Sequence, residues 1–354
     1  MYDVVIVGAG PVGCKVGELL GKKKLRVLIL EEHSEIGKPV QCAGLVSHRI
    51  FDLSEVSEDV VVNVVEKARF FSHDGNYIEL KHKKPVYVID RERFDKKLAK
   101  KTQDAEVEIK TTKFVGYEKK KECLKVKSTK GDFQAKLLVG ADGPNSSVAR
   151  VSDIKLPKNV LVGVQSTVDS KFDPSFVELW FSSDFAPGFF GWVIPENERE
   201  ARVGLAVAKN VNECFKKFLK KRFDKPVKEK SKLAGVIRFG LIDDSVSDRV
   251  LLVGDAASQV KPFSGGGLVY GLTGAKFAAE ACVKCLKEDR YDHRFLEENY
   301  DDVWKKELTG PIMKGLLLNK MIHSFSDNKL SVSFSLVRKG KVRKLLEFLD
   351  MDLL

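Results

Sequence analysis

The chain has 354 residues, with 61 Lys and Arg against 50 Asp and Glu, a formal charge of +11 and a sequence pI of about 9.1. An apolar share of 43% with 9% aromatics excludes a disordered chain, and no uninterrupted apolar run approaches the roughly 20 residues of a membrane-spanning helix. At this length two domains, interleaved or consecutive, are the expectation.

Tyr2 to Val7 reads as a buried strand, so close to the first residue that no leader segment is expected. A Gly-rich turn, a helix over Pro11 to Lys22 and a second buried strand over Arg26 to Leu30 complete a βαβ start. Val60 to Val88 alternates like antiparallel strands around a turn at Asp74-Gly75-Asn76, and Arg91 to Thr102 reads as a helix. Glu106 to Leu138 returns to strands, with a turn near Lys130-Gly131-Asp132. Leu137 to Gly140 is a short buried strand ending in a Gly-Asp turn. Val160 to Lys209 is β-rich and holds an aromatic cluster, and a helix follows over Val211 to Phe223. Val250 to Val253 is again a short buried strand with Gly254-Asp255 at its end, and the chain after Gly267 is helical almost throughout. Three glycine-punctuated strand ends far apart in sequence point to an α/β (α+β) fold. Its Rossmann-like nucleotide-binding domain is assembled from residues 1–59, 89–155 and 240–290, with an interleaved antiparallel-sheet substrate domain of 60–88 and 156–239. A helical region, 291–354, closes the chain.

Six scattered cysteines (Cys14, Cys42, Cys123, Cys214, Cys282, Cys285) with no export signal read as reduced thiols in the cytosol. Cys282 and Cys285 have ligand spacing but no second Cys/His pair, so they read as small residues on one helix face and no metal site is expected. The lysines fall in dispersed groups without interleaved aromatics, which disfavours nucleic acid as a partner. An anionic membrane surface, an acidic substrate or an ordinary solvated surface remain as readings of the positive charge.

Gly8-Ala9-Gly10-Pro11-Val12-Gly13 follows a strand and opens a helix, and Glu31, with Glu32 beside it, ends the next strand. That context suits a dinucleotide. The glycines allow the backbone to approach a pyrophosphate at the helix N-terminus, and the acid is placed for ribose hydroxyls. Val139-Gly140-Ala141-Asp142-Gly143-Pro144-Asn145-Ser146-Ser147-Val148-Ala149-Arg150, then Val253-Gly254-Asp255-Ala256-Ala257 with Pro262 and Gly265-Gly266-Gly267, resemble paired segments of the FAD-dependent hydroxylase-type flavoproteins. Ile89 to Asp95 resembles their DRxxFD helix start. The resemblance implies FAD as cofactor, held by Arg91, Asp142, Gly143, Asp255, Pro262 and Gly265 to Gly267. Helix N–H groups after Gly267 would then favour negative charge on the reduced ring. No second dinucleotide turn is seen, so the electron donor, NAD(P)H or a ferredoxin, is expected to dock transiently.

Within this group, Pro187-Gly188-Phe189-Phe190-Gly191-Trp192-Val193-Ile194-Pro195 and Gly37-Lys38-Pro39-Val40-Gln41-Cys42-Ala43-Gly44-Leu45 resemble the PxxYxWxFP motif and the cysteine-bearing, flavin-facing loop of the geranylgeranyl reductase family. Phe190 stands where the motif has Tyr. The resemblance implies saturation of isoprenoid double bonds in membrane lipids by reduced FAD. Cys42, Ala43 and Gly44 would lie at the flavin, and Cys42 would act as proton donor or flavin-side contact, a packed loop residue being the plain alternative. Phe189, Phe190, Trp192 and Ile194 either line an apolar slot for the lipid or form a sheet core, with Phe190, Trp192 and Ile194 on one face. The basic segments 313–322 and 339–349 fit either an anionic bilayer surface or ordinary helix packing. A cytoplasmic enzyme, peripheral at the inner face of the cell membrane, is the resulting expectation. A flavin-dependent halogenase or monooxygenase, or a non-catalytic flavin and lipid carrier, are the rival readings.

Overall fold

A computed structural model describes residues 1–339. Two eight-stranded sheets organise it. The first sheet holds β1 (Tyr2–Val7), β2 (Val27–Glu31), β6 (Glu108–Thr111), β7 (Phe114–Lys119), β8 (Leu124–Ser128), β9 (Gly131–Gly140), β15 (Val246–Ser247) and β16 (Val250–Leu252). The second holds β3 (Leu45–Ser47), β4 (Val61–Phe71), β5 (Tyr77–Ile89), β10 (Asn159–Asp169), β11 (Phe176–Trp180), β12 (Gly191–Pro195), β13 (Glu200–Val207) and β14 (Lys228–Phe239). The helices are α1 (Pro11–Gly21), α2 (Arg49–Ser54), α3 (Arg91–Asp104), α4 (Ser147–Val151), α5 (Val211–Arg222), α6 (Leu268–Glu288), α7 (His293–Leu296), α8 (Asp302–Ser324) and α9 (Asp327–Lys339).

Along β15-β16-β9-β1-β2-β6 the first sheet is parallel except for the edge pair β15–β16, while β8 joins β9 and β7 joins β8 antiparallel, off this path. Its central strands are near-continuous runs of Val, Ile and Leu because both faces are buried. Val4 to Val7 are flanked by Val27 to Leu30 on one side and by Leu137 to Gly140 on the other. The chain moves from β1 outward through β2 and β6, then crosses back to β9, so the strand order reverses beside β1. In an open α/β sheet a ligand crevice lies at such a reversal, at the C-terminal strand ends. Helix α1 packs against α3 and α6 over this sheet.

The second sheet runs β14-β10-β13-β12-β11-β4-β5-β3 and is antiparallel except where β11 joins β4. Side chains alternate as a strand demands. Val193, Val203 and Leu205 face α5 with Phe215 and Phe218, while Trp192 and Ile194 point to the other face. A Cβ on Gly204 would lie 2.5 Å from the Trp192 ring, so only glycine lets the indole lie flat across β13.

The layers do not follow the segments inferred from sequence at every point. Leu45–Ser47, grouped there with the nucleotide domain, pairs with β5 in the second sheet. Tyr300, Trp304, Leu308 and Ile312, assigned there to a separate helical region, are buried in the core of the first sheet. Met313 to Ile322 does form part of α8, whereas all but the first residue of the basic segment 339–349 lies outside the described residues.

One buried ion pair anchors α5 to the second sheet. Both carboxylate oxygens of Glu178 accept from Arg222, at 2.6 and 2.7 Å, and one also accepts from the Trp180 indole at 2.7 Å. Removing the cation strands a carboxylate in the core. Arg222→Ala is therefore expected to lower unfolding free energy by about 3 kcal/mol in chemical denaturation.

Candidate cofactor site

Four strand ends of the first sheet converge on a cleft of about 460 Å³, lined by residues from each of the glycine-punctuated strand ends singled out in the sequence. Gly8, Gly10, Pro11 and Val12 come from the turn after β1, and Glu31 and Glu32 from the end of β2. Asp142 and Gly143 follow β9, and Asp255, Gly265 and Gly267 follow β16. Arg91 opens α3, and Cys42 closes a loop from Glu35 that forms one wall.

The turn after β1 is backbone against backbone. Gly8 has φ +100°, and a Cβ there would lie 2.5 Å from the Ala141 carbonyl oxygen. Gly13 does not line the cleft, because its Cα faces the Gly8 carbonyl, where a Cβ would come within 2.0 Å. Gly10 caps α1 without a side-chain partner for the first-turn N–H groups. These free donors, in a cleft wall where no side chain intrudes at Gly10, suit a pyrophosphate. Glu31 braces the same turn: one oxygen accepts from the Ala9 N–H at 2.7 Å, the other from the His33 N–H at 2.9 Å. Glu32 pairs with Lys113 at 2.8 Å.

Asp142 is committed to its own chain. Its carboxylate accepts from the Ser146 hydroxyl at 2.6 Å and from the N–H groups of Ser147 and Val148, at 2.7 and 3.1 Å. It shapes the loop at the start of α4.

The other end of the cleft carries the buried charges. Arg91 donates twice to Asp95, each at 3.1 Å. Burial alone would lower the Arg91 pKa, but the Asp95 carboxylate and the neighbouring Cys42 outweigh it, so the guanidinium is held firmly charged. Asp255 is desolvated, which pushes its pKa from 3.8 up to about 6 against the opposing pull of Arg91. A Cβ on Gly267 would lie 2.3 Å from an Asp255 carboxylate oxygen, so the glycine turn is moulded on this acid. The Cys42 sulfur accepts from the Gly44 N–H at 3.3 Å.

Several residues expected at the cofactor are elsewhere. Ala43, Gly44, Pro262 and Gly266 do not line the cleft. The Ala43 carbonyl accepts from Arg202 at 2.8 Å, and a Cβ on Gly44 would collide with that guanidinium at 2.2 Å. Pro262 packs against Gly315 of α8, and Gly266 lies against the Lys261 side chain. Phe189, Phe190, Trp192 and Ile194 lie behind the cleft. Phe189 and Phe190 stack at 4.3 Å within an aromatic cluster that includes Phe181 and Phe263. Trp192 meets Phe190 edge-on and donates to Gln165 at 2.8 Å, and Ile194 belongs to a smaller cluster with Val65, Val88 and Val177. The cluster approaches the cleft at Gly265, where an added Cβ would lie 3.4 Å from the Phe189 ring and 3.2 Å from Ile237, which packs on the cluster and itself lines the cleft.

Sequence reasoning missed two arginines of the second sheet. Arg202, from β13, donates to the carbonyls of Ala43 and Ile89, at 2.8 and 3.0 Å, and to Glu196. Arg238, from β14, donates to the carbonyls of Pro144 and Pro157, at 2.7 and 2.6 Å. Each fixes one wall of the cleft from the opposite layer. The carbonyl partners are 81 to 159 residues away in sequence, so no local pattern announces them.

The sequence profile of the FAD binding domain family matches residues 1–297. An uncharacterized protein of Methanocaldococcus jannaschii is 34% identical, over 99% of this chain and 92% of its own length. The digeranylgeranylglycerophospholipid reductase of the same organism is 30% identical, over 93% of this chain and 89% of its own. Among solved structures, a geranylgeranyl bacteriochlorophyll reductase-like protein from Thermoplasma acidophilum matches with a TM-score of 0.89 at 22% identity, over 99% of this chain and 94% of that one. A flavin-dependent brominase matches less closely, with a TM-score of 0.75 at 18% identity over 98% of this chain and 92% of its own.

Asp255 makes the FAD-free protein pH-sensitive. Its folded pKa lies above the unfolded one, so the stability it contributes is fully present below pH 3.8 and is lost as the pH rises through about 6. Flavin-stripped Asp255→Asn should therefore gain in melting temperature relative to flavin-stripped wild type between about pH 4 and about pH 7, while rebinding FAD more weakly. Parallel melting curves across that range would refute this.

Proposed function

The chain belongs to the FAD binding domain family and, within it, to the geranylgeranyl reductases. From that membership we propose that this FAD-dependent oxidoreductase saturates isoprenoid double bonds of a membrane lipid or its precursor. The observation that carries the reading is the closeness of the Phe189 ring to Gly265, where an added Cβ would meet it at 3.4 Å. It sets the most apolar part of the second layer directly behind the cofactor cleft. A polyprenyl chain offers no hydrogen bonds, so a site for it must be built from large, rigid apolar groups. Phe181, Phe189, Phe190, Trp192 and Phe263 are of that kind.

Bound FAD, once reduced, would supply a hydride to one alkene carbon, leaving one proton to be added at the other. The residues of the chain have the remaining tasks. Gly10 and the first turn of α1 would hold the pyrophosphate, and Glu31, which braces that turn, would face the ribose. Asp255 and the Gly265 to Gly267 turn bear on the ring end. Cys42, on the cleft wall beside Arg91, is assigned to deliver the proton. Electrons reach FAD from a transiently docked ferredoxin or NAD(P)H.

Access from a bilayer fits the outer face of α8. Met313, Leu317 and Met321 stand exposed on it, and Lys306, Lys314 and Lys320 are exposed on the same helix. No acidic residue occurs between Glu307 and Asp327. An apolar ridge set among lysines suits an anionic lipid surface.

The test is anaerobic. Photoreduced protein mixed with an unsaturated archaeal-type prenyl lipid should be reoxidised without oxygen, and the lipid should gain mass in steps of about two units per double bond reduced. Protein that stays reduced, or that reoxidises only with oxygen and a phenolic substrate, would replace this reading with a carrier or a halogenase or monooxygenase. Cys42→Ala and Cys42→Ser should each slow single-turnover reoxidation by the lipid by about 100-fold without slowing photoreduction. Wild-type rates in both would remove Cys42 from the chemistry.

A further inference from the structure

The turn after β16 is held from a direction that the family's sequence motifs do not cover. Gly254 adopts φ +68°, and Gln259, one short 3-10 turn later, folds back onto it. The Gln259 side-chain carbonyl accepts from the Gly254 N–H at 2.8 Å, and the Gln259 backbone N–H donates to the Gly254 carbonyl at 3.0 Å. The other end of the amide donates to the Tyr300 hydroxyl at 3.3 Å, and that hydroxyl donates to the Leu252 carbonyl on β16. Reversing the amide would set its NH2 against the Gly254 N–H, so the orientation is determined by its partners. Gln259 and Tyr300 are both fully shielded from solvent.

A buried primary amide is costly unless its hydrogen bonds are met, and here the Gly254 N–H and the Tyr300 hydroxyl meet them from two separate elements. Helix α6 makes room: a Cβ on Gly274 would lie 2.1 Å from the Gln259 side-chain oxygen. Tyr300 arrives on a π-turn, Glu297–Asp301, a widened geometry uncommon in helices and frequent at functional sites. The turn it braces is also wedged against the pyrophosphate end of the cleft, since a Cβ on Gly254 would meet Val12 at 3.1 Å. Asp255 is the next residue, so its carboxylate and the opening turn of α1 take their relative positions from Gly254.

We propose that Gln259 and Tyr300 are positioning residues for FAD, a hydrogen-bonded brace that sets the Gly254–Asp255 turn against the N-terminus of α1. Neither touches the cleft. Tyr300 comes from beyond residues 1–297, so the C-terminal region contributes to the cofactor site through this brace.

The experiment uses the full chain with FAD bound and three variants. Tyr300→Phe removes the hydroxyl, and Gln259→Met removes the amide at similar length. Trp304→Phe serves as control: it removes a buried hydrogen bond, to Ser245 at 3.0 Å, just beyond the same π-turn but away from Gly254. Tyr300→Phe and Gln259→Met should each weaken FAD binding by about tenfold, the effect of one lost buried hydrogen bond, and should shift the visible circular dichroism and midpoint potential of the bound flavin. Trp304→Phe should lower the melting temperature similarly and leave all three flavin properties at wild-type values. Wild-type affinity, dichroism and potential in Tyr300→Phe, or equal loss in all three variants, overturns the proposal. If Tyr300→Phe does not fold, Gln259→Met against Trp304→Phe decides it by the same criteria.

Discussion

The parallel pairing of β1 between β2 and β9 is the constraint on which the cofactor cleft depends. In a parallel sheet every strand ends at the same edge, so register decides which loops meet there. Val7 stands beside Leu30 on one side and Gly140 on the other, and β16 continues the series with Leu252 beside Gly140. Each of these positions is followed within one to three residues by a chemically distinctive group: Gly8, Glu31, Asp142 and Asp255. A slip of one residue in β9 would exchange the two buried faces on which Leu137, Leu138 and Val139 pack and carry Ala141 away from Gly8, whose missing Cβ is what permits their contact. Core packing and cofactor geometry are therefore specified by the same hydrogen-bond ladder.

The two layers are joined by directional contacts as well as apolar packing. Arg202 and Arg238 each spend their fork of donors on backbone carbonyls, Ala43 and Ile89 for the first and Pro144, on the cleft wall, and Pro157 for the second. Arginine suits this role. Its planar donor array can satisfy two carbonyls at once, and its charge survives partial burial where a lysine would lose more to desolvation. Loops without regular structure would otherwise leave those carbonyls unpaired at the interface, a cost comparable to a lost hydrogen bond for each. The sheet that carries the aromatic cluster thus also sets the shape of the cofactor's walls.

Much of this was legible in the sequence where the signal is local. Tyr2 to Val7, the Gly8 to Gly13 turn, the strand ending at Glu31 and the short strand before Gly254 all carry their hydrophobic runs and glycines within ten residues of one another, and the α/β class with two sheets follows from them. Backbone roles were not legible. Ala43 and Gly44 share a loop with Cys42, yet their place is under Arg202, a partner whose position only the tertiary fold reveals. The role of Asp142 was hidden for the opposite reason: a motif position that reads as a ligand is satisfied by hydroxyl and N–H groups four to six residues away. Helical periodicity after residue 290 marked α8 but could not tell that its first half belongs to the core of the first sheet, since a buried stripe looks the same whichever layer it faces.

The cleft is also divided chemically, and the division bears on what can react there. Its pyrophosphate end offers backbone N–H groups and carboxylates, which recognise a cofactor tightly and position it. Where it meets Phe189 there is almost nothing but carbon. Discrimination in such a region rests mainly on volume, each methylene being worth roughly 1 to 3 kcal/mol, and the polar atoms that meet the cluster are few: the Trp192–Gln165 hydrogen bond and the His323 ring beside Phe181, with its buried Nε2. On the proposed function, such a region would accept prenyl chains of related length and would act at successive double bonds as the chain slid. Selectivity would then have to come from whatever polar group terminates the lipid. That group would be read outside the aromatic cluster, and exposed lysines stand on α8, whose Leu316, Leu318 and Ile322 pack against the cluster. Such a separation would let the same apolar interior serve several double bonds while the head group stayed at the surface.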